Sequence, residues 1–132
     1  MLFVGAACAQ SDLPETGTLS DLAGKTRVYL IVEGEARPAV VKLLEKQKGL
    51  MLTGKPDDAE FFLEYETVSR QPFGFGGMTE TGHLYAYFYR DKRKVIAWER
   101  SGTGGGFKGD TAKSLSKKFF SDLSKITTQT KP

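Results

Sequence analysis

Few side chains in this chain are of types that do chemistry, and their spacing is the first test of each. Glu64 and Glu66 stand two apart in an alternating segment, which puts both on one strand face about 7 Å apart. Two carboxylates so placed could share acid–base work. A strand with one solvated face gives the same spacing with no chemistry at all. His83 is the sole histidine and opens a strand, with no Cys or Ser in a context that would make a nucleophile. Asp57 and Asp58 occupy a turn and have no third carboxylate or histidine nearby in sequence to complete a metal shell. One Cys and one His exclude a Cys/His zinc site and a disulfide framework. The expectation is a chain with no catalytic residue, no cofactor and no metal. The alternative is a small ligand-binding domain or hydrolase built on Glu64, Glu66 and the glycine-rich segments.

Two such segments stand out. Gly102-Thr103-Gly104-Gly105-Gly106-Phe107-Lys108-Gly109 runs into a helix starting at Asp110, the place for a phosphate cradle. Its lysine is not followed by Ser or Thr and has no glycine in P-loop register, so it reads as a flexible connector. Phe73-Gly74-Phe75-Gly76-Gly77-Met78 puts three large apolar residues in a long loop, residues 70–82. Phe73 and Phe75 either tuck under the sheet edge or remain available to a partner.

The most informative pattern follows that loop. Leu84, Ala86 and Phe88 alternate with Tyr85, Tyr87 and Tyr89. The aliphatic set belongs under helices, so the tyrosines line the opposite, uncovered face together with Glu64 and Glu66. An apolar body with a polar tip suits a half-wet surface and is enriched at interfaces. Tyr85, Tyr87 and Tyr89, with Phe73 and Phe75, are thus the candidate binding residues. Stacking of nucleic-acid bases on these rings is opposed by the two glutamates, which repel phosphates.

The elements that must position these residues follow from periodicity. Alternation marks strands at 26–33, 61–69, 83–90 and 94–100, with a short one at 50–53. Pro38 lies in the first turn of a helix running to Gln47, and Ala112, Leu115, Phe119, Leu123 and Ile126 form the apolar stripe of a second helix. The order β-α-β-β-β-β-α gives each helix one surface to bury its stripe on. That predicts an α+β two-layer sandwich, a mainly antiparallel sheet with two helices on one face. The 132 residues make one domain, read as 26–127, with a linker at 10–25 and a tail at 128–132. Nineteen basic against sixteen acidic residues leave a net charge of +3, too small and evenly spread for a nucleic-acid-binding stripe.

Residues 1–9 are apolar and end in Ala7-Cys8-Ala9, the pattern of a signal-peptide end, so export to the periplasm or beyond is expected. Lipid attachment at Cys8 is the alternative fate of that segment. The stretches Gly49-Leu50-Met51-Leu52-Thr53, Asp58-Ala59-Glu60-Phe61-Phe62-Leu63-Glu64-Tyr65 and Lys94-Val95-Ile96-Ala97-Trp98-Glu99 resemble a group of small bacterial envelope domains. These include the lipopolysaccharide-assembly lipoprotein, the curli-secretion lipoprotein, the TolB amino-terminal domain and several uncharacterised exported families. The resemblance implies an envelope location and a non-catalytic binding or assembly role, with another envelope protein or a second copy of the chain as partner.

Overall fold

The structure, a computed structural model, describes residues 14–34, 36–73, 77–105 and 110–129. Six strands form one sheet: β1 (Glu15–Thr16), β2 (Arg27–Ile31), β3 (Met51–Leu52), β4 (Phe61–Phe73), β5 (Gly77–Arg90) and β6 (Arg93–Gly105). Two helices, α1 (Ala36–Glu45) and α2 (Asp110–Gln129), complete the fold. The sheet order is β1-β6-β5-β4-β2-β3. β4, β5 and β6 make two long antiparallel ladders, whereas β2 runs parallel to both β3 and β4, and β1 parallel to β6. The α+β architecture and element order expected from the sequence are present, with a short extra strand at the amino-terminal edge.

One face of the sheet carries Val28, Leu30, Phe61, Leu63, Leu84, Ala86, Phe88, Val95 and Ala97, all buried. Against them pack Val40 and Leu44 of α1 and Ala112, Leu115, Phe119, Phe120 and Leu123 of α2. Phe119 is fully buried, and its ring meets those of Phe61, Trp98 and Phe120 at centroid distances of 6.1, 5.2 and 5.3 Å. It is the point at which both layers meet.

The segment expected to be a loop, 70–82, is instead the tip of the two antiparallel ladders. Arg70 through Phe73 pair with Glu80 through Gly77, and Thr79 through Gly82 pair in turn with Gly105 through Gly102. The expected connector therefore loses residues 102–105 to β6 as well. The physical reason is visible at the glycines. Gly82 lies directly opposite Gly102, and a Cβ on Gly82 would collide with the ring of Tyr65. A Cβ on Gly102 would sit 3.1 Å from Leu115 of α2. These glycines admit a tyrosine ring and a helix to close range. They do not break the strands.

Part of the expected linker at 10–25 also belongs to the folded unit. Leu22, in a 3-10 turn spanning Leu19–Leu22, is buried at 1% exposure. Gly17 N–H donates to the Ile96 carbonyl at 2.8 Å, and Glu15 receives Arg93 at 2.6 Å. The segment closes the β6 edge near its start. Met1–Ala9, with Cys8, lies outside the described residues.

Candidate functional site

The tyrosines alternate as the sequence indicates. Phe88, Ala86 and Leu84 face the helices, and Tyr85, Tyr87 and Tyr89 face the other way. Among the described residues no helix covers that second face. It is, however, less wet than expected, because the rings cover one another. Phe62 stacks on Tyr87 at 5.3 Å and meets Tyr29 and Tyr89 edge-on at 5.9 and 5.7 Å. The Lys94 ammonium sits 4.0 Å above the Tyr87 ring. As a result Tyr87 is only 4% exposed, while Tyr89 at the rim is 56% exposed. A shallow recess of about 470 Å³ opens here, lined by Tyr29, Ile31, Phe62, Tyr87 and Tyr89 and by the 56–60 turn. Sequence reasoning reached Tyr29 as a member of this face but did not single out Phe62. The signal was the parallel register of β2 beside β4, which places Tyr29 opposite Phe62.

Glu64 and Glu66 share this face but serve the tyrosines. Tyr87 donates to Glu64 Oε1 at 2.9 Å, and Tyr85 to Glu66 Oε1 at 2.8 Å. Burial first, then the Glu64 hydrogen bond, push the Tyr87 hydroxyl upward. The Tyr85 hydroxyl is pushed up to about 12, chiefly by its bond to Glu66, then by burial and the charges of Glu66, Glu99 and Glu64. Both glutamates thus act as acceptors that hold phenols protonated.

His83 has neighbours that sequence reasoning missed. Ser101 lies opposite it in the β5–β6 ladder, with Oγ 2.8 Å from Nδ1, and Glu99 Oε1 is 3.0 Å from Nε2. The ring stacks on Tyr85 at 4.2 Å. This has the connectivity of a hydroxyl–imidazole–carboxylate relay. Acyl transfer would need, besides this relay, donors converging on a developing oxyanion. Glu64, Glu66 and Glu99 all bear on Tyr85 beside the imidazole, and the Tyr85 hydroxyl is spent on Glu66. The signal lay in the β6 bulge: Ala86 pairs with Trp98 but Tyr87 with Ile96. Unbulged pairing would have put Arg100 opposite His83.

Phe73 lies in β4 opposite Gly77, and the placement of its side chain, like all of Phe75, lies outside the described residues. Among the described residues, no group of three or more His, Cys, Asp or Glu is arranged to hold a metal ion, and no helix is long and apolar enough to cross a membrane.

The Asp58-Ala59-Glu60 turn at the edge of the recess has a clear structural task. Glu60 Oε1 accepts from Thr26 N–H (2.8 Å), Thr26 Oγ1 (2.9 Å) and Arg27 N–H (3.2 Å), while Glu60 N–H donates to the Arg27 carbonyl at 2.8 Å. This clamp joins the start of β2 to the start of β4. The Thr26 backbone bond, followed by the Thr26 hydroxyl and Arg27, holds the Glu60 carboxyl at about 2. A carboxylate depressed in the folded state contributes stability that is complete above its unfolded value and is lost as pH falls through the folded one. Urea midpoints are expected to fall between about pH 4.5 and 2 in the parent, and Glu60→Gln is expected to show a smaller fall across that window.

No protein-family model matches the chain, and no curated protein sequence matches it. Solved structures align with the chain at low identity and at TM-scores below 0.5. A hypothetical protein of Chlamydia trachomatis aligns at 10% identity over 76% of this chain and 94% of its own, with a TM-score of 0.47. The uncharacterized lipoprotein B of Nitrosomonas europaea aligns at 9% identity over 81% of this chain and 79% of its own, at 0.42. A minor lipoprotein of Acinetobacter baumannii aligns at 15% identity over 81% and 91%, at 0.40. The structural neighbours thus include bacterial lipoproteins.

Proposed function

We propose that the chain is a non-catalytic binding or assembly module of the bacterial cell envelope, and that the aromatic sheet face receives a protein partner. The observation that carries the reading is the patch of Tyr29, Phe62, Tyr87 and Tyr89, left without a covering helix among the described residues and ending in the exposed Tyr89. Aromatic rings that are already packed on one another lose little freedom on binding, which suits them to an interface core. The recess is shallow and open, so it fits a flat protein contact better than an enclosed small molecule. Glu64 and Glu66 are occupied by phenols, which weakens the alternative of a two-carboxylate hydrolase. The envelope placement rests on the signal-like Met1–Ala9 segment and on the resemblance of the strand motifs.

The test uses Tyr89, because it is the most exposed ring of the cluster and lies at its rim. Tyr89→Ser is expected to remove a crosslinked partner, or to convert a dimer to monomer in sedimentation, with the melting temperature nearly unchanged. A variant that keeps every crosslink and the parent's oligomeric state sinks the reading.

A further inference from the structure

The helix layer carries a second surface, distinct from the aromatic face. A cleft of about 570 Å³ opens where the turn after α1 and the middle of α2 approach the turn before β2. Its apolar lining is Leu22, Leu50, Phe120 and Leu123, of which all but Leu50 are buried members of the core. Its rim carries Lys25, Lys46 and Lys48. A shallower groove of about 290 Å³ continues across Phe120, sharing Gln47, Phe120 and Ser124 and adding Leu43 and Lys117. Among the described residues, neither lining contains an acidic side chain.

That charge balance is unlike that of the chain as a whole, in which nineteen basic residues face sixteen acidic ones. None of the four lysines takes part in an ion pair among the described residues. Lys25 instead lies over the Phe88 ring at 4.8 Å. A cleft floored by apolar side chains, with only cationic charges on its rim among the described residues, is complementary to an anionic amphiphile, whose chain gains from leaving water and whose head gains from lysines that hold no ion pair among those residues. The cleft volume is that of a small-molecule site and accommodates one chain rather than a bilayer patch. Lysine presents a compact charge without arginine's fork, and several lysines around one head suit a phosphate monoester, with about two negative charges, better than a carboxylate with one.

We propose that this cleft binds a monoacyl lipid carrying a phosphate monoester head, with the acyl chain along Leu22, Leu50, Phe120 and Leu123 and the phosphate among Lys25, Lys46 and Lys48. The reading is independent of the aromatic face, so Tyr89→Ser leaves it unaffected. The experiment is calorimetric titration of the full chain with oleoyl lysophosphatidic acid below its micelle concentration. Oleate, oleoyl lysophosphatidylcholine and inorganic phosphate are the comparison probes. The expected result is one-to-one binding of lysophosphatidic acid, about tenfold or more weaker binding of the zwitterionic lipid, weaker binding of oleate, and none of phosphate alone. Lys46→Glu with Lys48→Glu should weaken lysophosphatidic acid by about tenfold or more, and Ser124→Trp, an exposed site on the lining, should block it without altering the melting temperature. No binding by the parent overturns the proposal. So does equal affinity for the zwitterionic lipid, tighter binding of oleate, or a doubly reversed variant that binds as the parent does.

Discussion

Replacing Phe119 with alanine is expected to cost about 3–5 kcal/mol, a large share of a small domain's stability. The ring is fully buried and touches three others, from β4, β6 and its own helix. Removing it leaves a void between layers whose other rings are held in place. Trp98 is tethered by its indole N–H to Asp122 at 3.2 Å, and Asp122 also pairs with Lys118 at 3.0 Å. Phe61 starts β4, directly after the Glu60 clamp. Collapse into the void is therefore restricted, which puts the cost toward the upper part of the range for such truncations. Urea unfolding checks the value. Phe119→Leu, which keeps most of the volume, should recover more than half of the loss. A cost below about 1 kcal/mol for Phe119→Ala would show that the two layers do not meet at this ring.

Tyr87→Thr is the second large effect, and its size follows from burial on a face that the sequence alone marks as solvated. A cross-strand pair on a wet sheet face is worth about 0.2–1 kcal/mol. Tyr87 is instead enclosed by Phe62, Tyr89 and the Lys94 ammonium and donates to Glu64. Its loss removes ring packing and leaves the half-buried Glu64 short of a donor, for an expected cost of about 2–4 kcal/mol. Tyr87→Phe separates the two contributions: it keeps the stack and should cost about 0.5–1.5 kcal/mol for the hydrogen bond. Tyr89→Ser, at the exposed rim, should stay within about 1 kcal/mol of the parent. Equal midpoints for the Tyr87→Thr and Tyr89→Ser variants would return Tyr87 to the solvent-facing surface.

The two tyrosines divide the aromatic face into a structural and a presenting part. Tyr87 and Phe62 form the platform, and Tyr89, with the edge of Tyr29, is what a partner would meet. Loss of binding in a Tyr87 variant would therefore report on the fold as much as on contact. Tyr89 is the cleaner probe of function.

The sequence by itself determined the elements and their faces. Period-two alternation in 83–90 separates Leu84, Ala86 and Phe88 from the tyrosines because strand side chains can point only two ways. The stripe Ala112, Leu115, Phe119, Leu123 likewise dictates which side of the second helix is buried. Two helices with one stripe each, beside a set of strands, leave little choice but a two-layer sandwich. Only the tertiary structure decided how far the strands run and which side chains meet. Gly82 and Gly102 read as loop signals by local propensity, yet their missing Cβ atoms are what allow Tyr65 and Leu115 to lie against the ladder. Nothing local distinguishes a glycine that frees a loop from one that admits a distant ring. The meeting of His83 with Ser101, and of Tyr85 with Glu99, depends on a one-residue bulge in β6, and a slip of one residue exchanges every cross-strand neighbour beyond it. Burial of Tyr87 required Phe62 and Lys94 from the strands on either side. Those partners lie 25 and 7 residues away in the chain, and long-range register, not pattern, brings them together.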